Sequence, residues 1–231
     1  MPGKIFLADQ RQHQETAEFR RFSTFHASPA AGAGHMPFGA LQGLHEETLA
    51  AGSCTTQVAE AAGWVLVLPV TGSVAVHAAT DPYAMTVQVE ELLLLPVAAG
   101  TVVELRNPYS DCAIQLLHLW LAGPAPRVAG AARLFPFRFA DLANCLAPVV
   151  AGPPVRVALG QLAGRQEVEY VLTDSAHSFF AVVLAGAFEV AGRLLHQHDA
   201  LGLWDTPRVE LEALSYDAVV LVLELPSVPA S

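Results

Sequence analysis

The chain has 231 residues, 53% of them hydrophobic and only 15% charged, a balance that excludes a disordered polymer, a collagen, a coiled coil and a disulfide-dense scaffold. Its formal net charge is -10 and its single lysine is Lys4, so it lacks the cationic surface that nucleic acid or an anionic membrane requires of a partner. The longest apolar runs, Trp64–Val70, Leu92–Val97 and Ala218–Leu225, fall far short of the ~20 residues of a membrane-spanning helix. Their length and β-branched content are those of strands. No apolar stretch with a small-residue cleavage site follows the N-terminus. Cys54, Cys112 and Cys145 are odd in number and far apart, which points to a reduced, cytoplasmic setting.

In chain order, the first block of candidate strands is Leu41–Leu49, Trp64–Val70, Ser73–Ala78, Thr86–Val89, Glu91–Pro96, Val102–Leu105 and Ile114–Leu121. Turn signals separate them, among them Ala51-Gly52, Thr71-Gly72, Asp81-Pro82 and Asn107-Pro108. A stretch rich in proline and alanine follows, from residue 123 to 154, in which Phe139–Leu146 reads as a short helix. The second block holds Val155–Leu159, Glu167–Leu172, Ser178–Leu184, Ala187–Val190, Leu201–Leu203, Arg208–Ala213 and Val219–Leu225. Many short strands at regular spacing predict an all-β fold, and two such blocks predict a duplicated barrel. The expected domains are 1–122, a linker at 123–154, and 155–231. The glycine-rich Ala30–His35 reads as a loop.

Several phrases, in order, resemble one family. They are FGALQGLHEETLAAG at Phe38–Gly52, VELRNPYS at Val103–Ser110, IQLLHLWLAG at Ile114–Gly123, HSFFAVVLAGAFEVAGRLLHQHDALGLWD at His177–Asp205 and VVLVLELP near the end. They are similar to the pirin and quercetinase-like bicupins, which implies two cupin-type jelly-roll barrels. The resemblance also implies a metal (Fe, Ni, Cu or Zn) held in the first barrel by histidines and a glutamate, and dioxygenase chemistry in the quercetinase-like members.

The ligand frame departs from that pattern. Counted from Gly52, the first histidine position holds Val58, the second Glu60, and the glutamate position Trp64. The third falls at Val103–Leu105, where only Glu104 has a donor. Two carboxylates do not make the mixed nitrogen and oxygen set that such metals favour. No metal, cofactor or catalytic residue is therefore expected. The residues expected to line a ligand pocket are Val58, Glu60, Trp64, Glu104 and His118, the last on the apolar strand LLHLWL. Glu60 and Glu104 are also weighed as an acid–base pair.

Other residues are read more plainly. His196 and His198 form an H-x-H at a turn, and His77 and His177 sit at strand ends. Cys54 reads as a small buried filler. There is no G-x-S-x-G, no phosphate loop and no H-E-x-x-H. The expected function is that of a non-catalytic, pirin-like bicupin binding a small molecule or a protein partner. The alternative is a quercetin 2,3-dioxygenase-like, metal-dependent oxidoreductase with atypical ligands, so whether the chain is an enzyme stays open.

Overall fold

Alternating burial along short segments produces strands almost throughout. The computed structural model describes residues 1–25, 36–78, 84–123 and 132–226. The Asp81-Pro82 turn and the Ala30–His35 loop lie outside the described residues. The strands are β1 (Gly3–Phe6), β2 (Gln12–Glu15), β3 (Phe19–Phe25), β4 (Leu41–Leu49), β5 (Cys54–Val58), β6 (Gly63–Thr71) and β7 (Val74–Ala78). Next come β8 (Met85–Val87), β9 (Glu91–Val97), β10 (Val102–Arg106), β11 (Ile114–Ala122), β12 (Arg133–Pro136), β13 (Ala147–Gly152) and β14 (Val155–Leu162). The last are β15 (Glu167–Val171), β16 (Ser178–Ala185), β17 (Ala187–Val190), β18 (Arg193–His196), β19 (Ala200–Leu203), β20 (Arg208–Ala213) and β21 (Ala218–Leu225). The fold is all-β, two cupin-type jelly rolls in one chain.

The first jelly roll pairs a seven-stranded sheet, β12-β9-β6-β11-β4-β3-β2, with a four-stranded one, β5-β10-β7-β8. Both sheets feed one core, in which Leu49, Val65, Val67, Val76, Leu93, Val103, Leu105 and Leu116 pack together. Each such side chain taken fully out of water contributes about 1.5–3 kcal/mol. The second jelly roll pairs β1-β19-β16-β21-β14-β13 with β15-β20-β17-β18. Phe179, Phe188, Leu201, Leu211, Val220 and Val222 are in its core. Gly72 and Gly186 take left-handed φ values of 69° and 75° in the corresponding turns β6–β7 and β16–β17, a conformation that glycine adopts without steric cost.

Three expectations about organisation need correction. Met1–Gln10 does not belong with residues 11–122. It groups with Phe38–Ala40 and Phe137–Ser231 in the C-terminal unit, while Arg11–Pro37 and Leu41–Pro136 form the other. The cause is β1, which adds antiparallel to β19 with Gly3 opposite Leu203 and buries Phe6 against Phe38 and Phe180. The presumed linker also contributes a strand to each unit. β12 pairs with β9, and β13 with β14. Finally, the presumed helix is a single 3-10 turn over Phe139–Leu142, closed by Arg138 donating to Asp141. Asn144, at a φ of 55°, then turns the chain into β13.

Candidate functional site

On β3 and β4 the period of two sets polar residues among apolar ones on a single face. Arg21 and Ser23 follow Phe19 on β3, and His45 and Glu47 precede Leu49 on β4. On β11, His118 and Trp120 follow Leu116. Leu49 and Leu116 belong to the core, with Phe19 and Trp120 packed against it, so the polar residues of this face point into the first jelly roll. Register brings them level, since His45 lies opposite both His118 and Ser23.

Glu47 is the centre of the resulting network and is 0% exposed. Arg21 donates to it twice, Nε to Oε2 at 2.9 Å and Nη2 to Oε1 at 3.1 Å. His118, also 0% exposed, has Nε2 2.8 Å from Oε2. The Trp120 indole N–H donates to His118 Nδ1 at 3.0 Å. That donation makes Nδ1 an acceptor, so the proton of the neutral ring is on Nε2 and is given to Glu47. The Gln57 amide lies 3.5 Å from His118 Nε2. Alongside, Ser23 Oγ is 2.8 Å from His45 Nδ1, and the rings of His45 and His118 are 4.8 Å apart.

The charges follow from this geometry. Burial by itself would raise the Glu47 pKa. The hydrogen bonds and charges of His118 and Arg21 outweigh it and hold the carboxyl at about 2, against an ordinary 4.5. Burial depresses the His118 pKa, and the nearby Arg21 charge adds to that, despite the Glu47 carboxylate. The network therefore centres on the Glu47 carboxylate, with the Arg21 guanidinium and the neutral His118 imidazole each hydrogen-bonded to it.

A cavity of about 540 Å³ opens onto this network. Arg21, His45, Gln57 and Trp120 are on its inner side, joined by Gln42, Trp64, Leu121 and Ala122. Gly43 also lines it. A Cβ there would come within 2.7 Å of His45 Nε2, so glycine keeps that ring uncovered on this side.

The sequence-predicted residues are distributed unevenly. Trp64 lines the cavity, half-buried. Val58, 58% exposed, and Glu60, also exposed, contribute to the lining from its outer side. The interior positions of their segment are the neighbours Gln57 and Ala59. His118 is behind the cavity, with both ring nitrogens engaged. Glu104 is not part of the site. Its neighbours Val103 and Leu105 point into the core, whereas Glu104 points the other way and accepts from Arg106 Nε at 3.1 Å. The acid–base pairing of Glu60 and Glu104 weighed from the sequence is not made, because the period of β10 puts Glu104 on the outer face. His77, opposite Glu104 on β7, alternates with the core residues Val76 and Ala78 and also faces outward. His196 ends β18 exposed, and His198 sits in the following turn with a φ of 70°. Cys54 is half-buried, 3.6 Å from an Arg106 Nη2.

Sequence reading missed Glu47, Arg21, His45 and Gln57. The available signal was a pair of polar residues, His45 and Glu47, on the buried phase of the apolar-flanked strand LQGLHEETL. The second jelly roll has its own buried carboxylate, Glu224. It accepts from the Thr173 amide and hydroxyl, the Tyr170 hydroxyl at 3.0 Å, and His177, whose Nδ1 is 2.7 Å away. Burial and then the Glu224 charge push the Tyr170 hydroxyl pKa well up, so it stays a donor.

The arrangement of two jelly rolls defines a bicupin. Residues 154–225 match the model of the quercetinase C-terminal cupin domain. The E. coli protein YhhW superposes over 100% of both chains with a TM-score of 0.80 at 18% identity. A second structure, the bacterial pirin YhhW from E. coli in complex with nickel(II), gives 0.77 at 17% over 98% of this chain and 100% of that one. Quercetin 2,3-dioxygenase from Acinetobacter baumannii gives 0.71 at 13% over 97% of this chain and 86% of that one. No curated protein matches the chain by sequence. The chain has the fold of the pirin and quercetinase-like cupins, and its second jelly roll carries the sequence signature of that family.

Proposed function

We propose that this chain is a non-catalytic bicupin whose first jelly roll binds a small organic molecule in place of a metal. The observation that carries this reading is the Arg21–Glu47–His118–Trp120 network. It fills the interior with hydrogen bonds already made and leaves a cavity in front of it. A cavity of about 540 Å³, with apolar walls and a few convergent polar groups, is of the size and kind that small ligands occupy.

A transition metal does not fit the residues present. Such an ion needs several free nitrogen or oxygen donors aimed at one point. The inward positions on β5 and β10 are Thr55, Gln57, Val103 and Leu105, which offer one hydroxyl and one amide and no imidazole or carboxylate. His118 donates from Nε2 to Glu47 and accepts a hydrogen bond from the Trp120 indole on Nδ1. Among the described residues, no group of three or more histidine, cysteine, aspartate and glutamate side chains is placed to hold an ion.

The test is metal content and turnover of the untagged protein, expressed with iron, nickel, copper and zinc available. The expected outcome is metal at background, a thermal midpoint indifferent to added metals, and no oxygen consumption with quercetin. Stoichiometric metal, or metal-dependent cleavage of quercetin, would replace this reading with the dioxygenase one, which the likeness to the Acinetobacter enzyme favours.

A further inference from the structure

The polar side of the cavity has a direction. A guanidinium carries five N–H donors. Glu47 takes one from Nε and one from Nη2, so its carboxylate covers one edge of Arg21. The remaining donors, both of Nη1 and one of Nη2, have no acceptor among the described residues. The side chain is 14% exposed and lines the cavity, whereas Glu47 is 0% exposed and does not. What Arg21 shows the cavity is therefore its donor edge, the positive end of a buried ion pair. One of its flat faces is occupied by the Phe19 ring, 5.0 Å from Cζ.

The unused edge, Nη1 with Nη2, has the fork geometry that receives a carboxylate through two parallel hydrogen bonds. The same cavity is lined by the indoles of Trp64 and Trp120 and by the Gln42 and Gln57 amides. Glu60 is the one carboxylate of the lining, and its exposure leaves it to be screened by water and salt. We infer that the ligand is a planar aromatic acid, its carboxylate seated on the free edge of Arg21 and its ring against Trp64 and Trp120. This inference rests on the small-molecule reading above and deepens it by naming the ligand class.

The test is calorimetric titration of the full chain at neutral pH with 2-naphthoate and with its uncharged counterpart 2-naphthamide. The expected result is that the acid binds at least about tenfold more tightly than the amide. In the double variant Arg21→Gln with Glu47→Gln, which strands no buried charge, that preference should vanish. If the double variant does not fold, the Arg21 Nε–H resonance of the unmodified protein serves instead, and it should shift on adding the acid and not the amide. Equal binding of acid and amide overturns the acid and leaves the cavity as a small-molecule site. Binding of neither, with no neutral planar compound raising the thermal midpoint, overturns both readings.

Discussion

Glu47 and His118 are wholly buried, and both protonation equilibria are displaced by folding. In the unfolded chain His118 takes a proton near 6.5, and in the folded chain only at lower pH. The unfolded state therefore binds more protons just below 6.5, and stability there declines as the pH is lowered. Glu47 behaves the same way lower down. Its stabilising contribution is complete above about 4.5 and is lost as pH falls toward about 2, a span worth about 3 kcal/mol. Chemical denaturation of the first jelly roll should thus show stability declining in two stages on acidification, one beginning just below 6.5 and a second below 4.5. In His118→Gln the upper stage should be missing. A flat profile between neutrality and pH 5 in the unmodified protein would mean that His118 is charged in the folded state.

β6 shows how closely one strand is bound to its neighbours. Gly63 pairs with Ala122 on β11 and with Val97 on β9. A Cβ on Gly63 would collide with the Leu121 carbonyl, which is backbone and cannot rotate away. Gly63→Ala should therefore shift the β6–β11 register or the carbonyl itself, destabilising by about 1–3 kcal/mol in a denaturant midpoint, with Trp64 fluorescence changed. An unaltered midpoint would mean that the strand end is looser than drawn. Strands with apolar runs, such as β4, β6, β11, β16 and β21, were legible in the sequence because burial repeats along them. β1, β2, β3, β5, β12, β13 and β18 are short or polar, and β1, β5 and β12 pair with strands distant in the chain, so little local marks them. The site suffered from the same period of two. On β5, counting from Gly52 selects Val58 and Glu60, and a displacement of one residue exchanges every inward side chain for its outward neighbour. Gln57 was lost in that step. Arg21 was lost because β3 was not foreseen, although His118, its indirect partner, was.

At the scale of the whole chain, the two jelly rolls share a device. Each buries one glutamate that accepts from a histidine, Glu47 with His118 and Glu224 with His177. They differ in what opens in front of it. The first network adjoins the cavity, whereas Glu224 has its acceptors filled by Thr173, Tyr170 and His177. The C-terminal jelly roll also depends on residues from the other end of the sequence. Phe6 is 1% exposed against Phe38 and Phe180, and Ala8 donates its amide to Asp199 Oδ1 at 2.7 Å. Phe6→Ala should cost about 3–5 kcal/mol. Hydrogen exchange should show the loss in β16 and β19, far along the chain, with β4 and β11 unaffected. Faster exchange confined to the first jelly roll would contradict this dependence.

That dependence sets an order of events during synthesis. β1 leaves the ribosome long before β19, yet its place is beside that strand, where Phe6 meets Ala200. At roughly 5–20 residues per second, it waits on the order of ten seconds or longer for that neighbour to emerge. During the interval the first jelly roll can close without it, since β2 and β3 begin the sheet there. A strand made well before its partner is among the last to find its seat.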